Sequence, residues 1–190
     1  MINFRTDLAL ERRDLFKKAN NISNEVDGLE TQEESFTDDI KISRVKVLND
    51  NGEQAIGKRK GTYITIDIKN LKIAGEDEIQ KASEAVTKEL KNLIGALVDP
   101  QEDILVVGLG NLYVTPDALG PKVVNEIDIT RHLLNYMPDV LDKDTRSVSA
   151  IAPGVLGTTG IETLEVIKGI VENIHPKLII VIDALASRSI

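Results

Sequence analysis

The sequence predicts an α/β fold with a largely parallel sheet, and three observations carry that expectation. Two short, continuously apolar runs, Ile104–Val107 and Leu178–Ile182, have the length and β-branched content of strands buried on both faces. The segment from Glu76 to Leu97 places Ile79, Ala82, Ala85, Val86, Leu90, Leu93, Ile94 and Leu97 at spacings of three and four, the signature of an amphipathic helix. Further helix-like stretches, Pro121–Tyr136 and Ile161–Asn173, lie between the two apolar runs, so strands alternate with helices.

Taken in order, the first element is a short helix from Leu8 to Asn20, its apolar positions Leu8, Leu15, Phe16 and Ala19 set among charges behind a cap at Thr6 or Asp7. Glu25–Asp39 is acid-rich with a single Phe and reads as a loop. Ile40, Ile42, Val45 and Val47 mark a strand that ends at Asn49-Asp50-Asn51-Gly52, read as the turn of a β-hairpin whose second arm holds Tyr63, Ile64, Ile66 and Ile68. Thr159 or Gly160, at the end of the glycine-rich stretch Ala152–Gly160, is placed to cap the helix that follows.

Composition narrows the function classes. With 31 acidic against 23 basic residues the formal charge is -8, which argues against direct nucleic-acid binding, since that needs clustered cations. The absence of cysteine removes disulfides, thiolate metal sites and a thiol nucleophile, and suits a reducing interior. Met1–Glu11 mixes charged and apolar residues instead of forming a secretory signal, and the longest apolar run is too short to span a bilayer, so no membrane partner is expected.

Ligands of open α/β sheets gather at the carboxyl ends of the strands, and the most unusual residues stand there. Gly108-Leu109-Gly110-Asn111 follows the first apolar run, and Thr115-Pro116-Asp117-Ala118-Leu119-Gly120-Pro121 comes soon after. Position 113 is Tyr, so the dinucleotide spacing GxGxxG fails, and no phosphate loop of the form GxxxxGK[ST] occurs. Taken alone, Asp117 reads as a helix cap or first-turn acid, and Asp183, which closes the second run, as a partner for Arg188 or the cap of a turn. Together they are two carboxylates at the ends of two strands, able to share a proton across one crevice, one activating water while the other protonates the scissile amide.

Other chemistries fit less well. Ser147, Ser149, Ser187 and Ser189 lack a GxSxG elbow, and His132 and His175 read as structural or exposed. A metal site from Asp117, Asp183 and a histidine remains chemically open, without HExxH or another compact ligand spacing.

The motifs GLGN (Gly108–Asn111), TPDALGP (Thr115–Pro121), APGVLGTTGIET (Ala152–Thr163) and IDALASRS (Ile182–Ser189), in this order, resemble the spore germination protease family. RTDLALE (Arg5–Glu11), GLETQEE (Gly28–Glu34) and GKRKGTYITID (Gly57–Asp67) extend the likeness along nearly the whole chain. The resemblance implies a three-layer α/β fold, a mostly parallel or mixed sheet flanked by helices, similar to the hydrogenase maturation endopeptidases. It implies a single peptidase domain over residues 1–190, cut short at its carboxyl end because family members run beyond the last motif. The activity implied is that of an atypical aspartic endopeptidase, in the cytoplasm of the spore core, degrading small acid-soluble spore proteins during germination. Its catalytic pair is Asp117 and Asp183, with Gly110, Asn111 and Arg188 as candidates for the substrate groove. The family is made as a zymogen, which here places a propeptide at residues 1–7 and processing at Asp7-Leu8. A homotetramer is implied and no cofactor. Two alternatives stand beside this reading: a metal-dependent maturation-type protease using the same crevice, and an inert structural or binding module.

Overall fold

A computed structural model describes residues 8–21 and 26–185. The chain divides into two compact units, one running through Asn92 and one beginning at Leu93. The class is α/β as expected, with one antiparallel and one parallel sheet, each of three strands.

The first unit contains α1 (Ala9–Asn20), β1 (Leu29–Ser35), β2 (Ile40–Val47), α2 (Asp50–Ile56), β3 (Gly61–Ile68) and most of α3 (Glu76–Leu97). Its strands form an antiparallel meander in the order β1-β2-β3, with Thr31 opposite Val45 and Ile42 opposite Ile66. The central strand buries both faces. Val45 and Val47 pack with Ala9, Val26, Leu29, Ala55 and Ile56 on the side of α1 and α2. Ile40 and Ile42 point the other way and meet Ala82 and Ala85 of α3. Two alanines one helical turn apart let α3 lie close on the sheet, and fully burying Ile42 or Ile56 contributes about 2 kcal/mol each.

Two expectations are corrected in this unit. Asn49 does not open a tight hairpin turn. Its side chain accepts the Gly52 N–H at 3.1 Å and so caps α2, while β2 and β3 still pair antiparallel around that inserted helix. The acid-rich stretch before β2 is not all loop but carries strand β1, because its charges are answered from neighbouring elements. Arg44 Nη2 and Lys88 Nζ each lie 2.8 Å from a Glu34 carboxylate oxygen, and Arg13 Nη2 lies 3.2 Å from Glu33.

The second unit holds β4 (Ile104–Gly108), α4 (Leu119–Glu126), α5 (Arg131–Tyr136), β5 (Val148–Ile151), α6 (Leu156–Thr159), α7 (Thr163–Ile174) and β6 (Leu178–Ile182). The parallel sheet runs β5-β4-β6. Its middle strand is buried along its whole length, and Val98, Ile104 and Val106 centre a core that takes in Ile94, Val124, Ile127, Val148 and Ile180. β6 departs from the expectation of burial on both faces. Ile180 and Ile182 face the core, whereas Ile179 and Val181 are 38% and 53% exposed, with no element covering that face among the described residues.

Three further differences have local causes. The helix expected from Pro121 to Tyr136 is two helices, because Ile127 turns extended (φ -84°, ψ 133°) and joins the core. β5 had no clear signal, being four residues with Ser and Ala at its centre. Thr130 fixes it, donating to Arg146 O at 2.5 Å and accepting from Val148 N at 2.9 Å. Neither Thr159 nor Gly160 caps α7, whose N-cap is Glu162. Thr159 Oγ1 instead accepts from Ile161 N at 3.1 Å, closing the turn after α6. No helix among the described residues is long and apolar enough to cross a membrane.

Candidate active site

The carboxyl edge of the parallel sheet holds the motif residues. β4 and β6 run in register with Gly108 opposite Ile182, and the Leu109 N–H donates to Ile182 O at 2.8 Å, extending the ladder one step beyond β4. The next residue on one strand is Gly110, and on the other Asp183. Both aspartate-bearing segments therefore leave the sheet at the same end.

Asp117 is set by the loop after β4. The chain bends at Gly110 (φ 115°) and passes Asn111, whose N–H donates to the Asp117 carbonyl at 3.2 Å and to its carboxylate Oδ2 at 2.8 Å. A side chain at position 110 would press on the Asp117 carbonyl and stand 3.0 Å from Oδ1, so glycine is needed for this approach. The carboxylate is thus turned onto Asn111 instead of capping α4, whose N-cap is Ala118 with no side-chain cap. Asp117 is half-buried at the end of the turn Thr115–Asp117.

Asp183 is exposed, and its Oδ1 accepts the Ala184 N–H at 2.8 Å, which orients the carboxylate at the strand end. The structure places the predicted residues Gly110, Asn111 and Asp117 in one loop and brings that loop to the strand end that carries Asp183. Arg188 and Asp7 lie outside the described residues. Leu8 stands just ahead of α1, its carbonyl accepting the Arg12 N–H at 3.1 Å.

The glycine-rich stretch after β5 emerges at the same edge, where Thr163 Oγ1 donates to Gly154 O at 3.2 Å and ties it to the start of α7. Sequence reasoning passed over Leu112, Tyr113 and Val114, which stand 42%, 90% and 44% exposed between Asn111 and Thr115 and give the Asp117 loop an apolar lip. The available signal was three consecutive apolar residues between polar turn residues. Neither histidine joins this region as a ligand: His132 is exposed on α5, and His175 is exposed where α7 ends. Among the described residues no three His, Asp or Glu side chains converge as a metal site would require.

Chemically, the edge offers two carboxylates, each oriented by a main-chain N–H, in a setting of mixed exposure. Such a pair can take a proton from water and return one to a leaving amine.

Comparison with known proteins bears on the whole chain. A sequence model of the germination protease family matches residues 7–190. A germination protease of Clostridium perfringens is 48% identical over 190 residues, covering 100% of this chain and 57% of that protein. The germination proteases of Caldanaerobacter subterraneus and Priestia megaterium are 50% and 45% identical, covering 99% and 98% of this chain and 56% and 51% of their own lengths. The chain thus spans little more than half the length of the curated relatives it matches. The match along nearly its entire length shows that this chain belongs to the germination protease family.

Proposed function

We propose that the chain carries a peptidase domain over residues 1–190 and acts as an endopeptidase on small acid-soluble spore proteins during germination, with Asp117 and Asp183 as its catalytic pair. The observation that supports this reading most is the register of β4 and β6, which sends both motif aspartates out of one edge of the sheet. In the reaction one carboxylate takes a proton from the attacking water, and the other supplies a proton to the scissile amide as its carbon–nitrogen bond breaks. Gly110 and Asn111 line the groove on this reading, with the exposed Leu112–Val114 lip beside them, and Arg188 is a further candidate from its motif alone.

The experiment is cleavage of a small acid-soluble spore protein by the full chain and by folded Asp117→Asn and Asp183→Asn variants, with and without chelator. Loss of cleavage in both variants, with indifference to chelator, is expected. Survival of cleavage in either variant overturns the aspartate pair, and loss to chelator restored by added metal would establish the metal-dependent reading. Uncleaved substrate that still binds would establish an inert binding module.

The zymogen reading, with residues 1–7 as propeptide, draws support from RTDLALE, whose Asp7-Leu8 bond lies immediately before the described start of α1. Self-processing yields a new amino terminus at Leu8 by mass spectrometry, and an unchanged mass after activation overturns it. The homotetramer and the spore-core location rest on family likeness, and sedimentation tests the first. The net charge of -8 supports a protein substrate over direct contact with nucleic acid.

A further inference from the structure

The segment that carries Asp117 touches the strand end that carries Asp183 through the backbone at Gly120. Gly120 is buried at the start of α4, three residues after Asp117. A Cβ added there would stand 2.6 Å from Ile182 O and from Leu109 N, and closer still to Leu109 O. Leu109 N and Ile182 O are the donor and acceptor of the 2.8 Å hydrogen bond that extends the sheet beyond β4, and Ile182 is bonded directly to Asp183. From the opposite side, a Cβ on Gly108 would press on the Gly120 carbonyl and lie 2.8 Å from Val124 Cγ2. Two glycines therefore let α4 seat, backbone on backbone, against the ends of β4 and β6.

We infer that Gly120 is a positioning residue that sets the separation of Asp117 and Asp183, a role that rests on the aspartate pair proposed above. Restoring an ordinary contact of roughly 3.4 Å around a methyl group at position 120 moves the Asp117 turn away from Ile182 by about 1 Å. A displacement of that size in a reacting constellation lowers the rate by roughly a hundredfold, whereas Asn111 and the Leu112–Val114 lip, tied to the Asp117 turn, shift with it and change binding by a smaller factor. Hence the larger change falls on kcat.

The test is steady-state cleavage of a small acid-soluble spore protein by the full chain, with the folded fraction of each variant measured by circular dichroism. Gly120→Ala is expected to retain its fold, with kcat down roughly a hundredfold and KM changed by a smaller factor. Val124→Leu, which enlarges and reshapes the side chain packed beside Gly108, shifts kcat in the same direction by a smaller factor. Gly169→Ala, in α7 with open space around its α-carbon, leaves both constants unchanged. Wild-type kcat in folded Gly120→Ala overturns the inference, as does a rise in KM at constant kcat. If Gly120→Ala does not fold, Val124→Leu decides, and its wild-type kcat overturns the inference. Asp117→Asn and Asp183→Asn run alongside: cleavage surviving in either refutes the aspartate pair itself, whereas its loss in both with kcat intact in Gly120→Ala refutes only the positioning role.

Discussion

Replacing Glu89 by glutamine should destabilise the first unit by about 2 kcal/mol, a magnitude that follows from how the carboxylate is held. Glu89 lies on α3 with 4% of its surface exposed, and both its oxygens are taken by Arg44 of β2, from Nε at 2.9 Å and Nη2 at 2.5 Å. Glutamine keeps one acceptor but presents an NH2 where the guanidinium also presents a donor. Breaking a fully buried pair costs about 3–5 kcal/mol. Here Arg44 retains Glu34 at 2.8 Å and an 18% exposed side chain, which relieves part of that loss. Urea unfolding followed by tyrosine fluorescence reports mainly on this unit through part-buried Tyr63, because Tyr113 and Tyr136 of the other unit are 90% and 83% exposed and change their surroundings little on unfolding. The expected result is a lower midpoint at unchanged m-value. An unfolding free energy within about 0.3 kcal/mol of wild type would refute the claim that the pair holds α3 to the sheet.

Acid should act through the same cluster. Glu89 is held below its ordinary carboxylate value chiefly by the Arg44 hydrogen bonds, and Glu34 by Lys88 and then Arg44. Because the folded-state values are depressed, the stabilisation is present above the ordinary carboxylate range and is lost as pH falls through the lowered values. Between about pH 6 and pH 3 the wild-type midpoint should therefore fall further than that of Glu89→Gln, and parallel curves would contradict this. Asn49→Ala removes the cap on Gly52 N and should cost about 1 kcal/mol, read as a fall of roughly 2–4 °C in the thermal midpoint, with no fall counting against the cap.

Legibility in the sequence followed the strength of the local pattern. α3 was readable to its ends, since its 22 residues carry a sustained three-and-four apolar spacing that little else imitates. β1 was not, because Leu-Glu-Thr-Gln-Glu-Glu-Ser has a loop's composition, and partners distant in sequence make it a strand: the β2 ladder, the core around Leu29 and the cations of Arg13, Arg44 and Lys88. Asn-Asp-Asn-Gly serves a tight turn and a helix start equally well, and the choice lay in packing: Ala55 and Ile56 enter the core only if the segment is helical. At the candidate site, the position of Asp183 at the end of β6, and of Asp117 in the loop that follows β4, was legible from two apolar runs that stop abruptly. The amide of Asn111 on the Asp117 carboxylate was not, because it depends on the bend at Gly110, which no motif specifies.

The strand order β5-β4-β6 also has a consequence for synthesis. The meander β1-β2-β3 pairs neighbours in sequence and can close while the remainder of the chain is still being made. The parallel sheet cannot, since β4 must wait for β5 and then for β6, whose Ile182 meets Gly108 only after α4, α5, α6 and α7 have emerged. Loop closure over such separations is slow, so the edge that gathers Asp117 and Asp183 is assembled late. A nascent chain halted before Leu178 lacks β6 and Asp183, leaving Asp117 without its proposed partner for as long as translation is stalled.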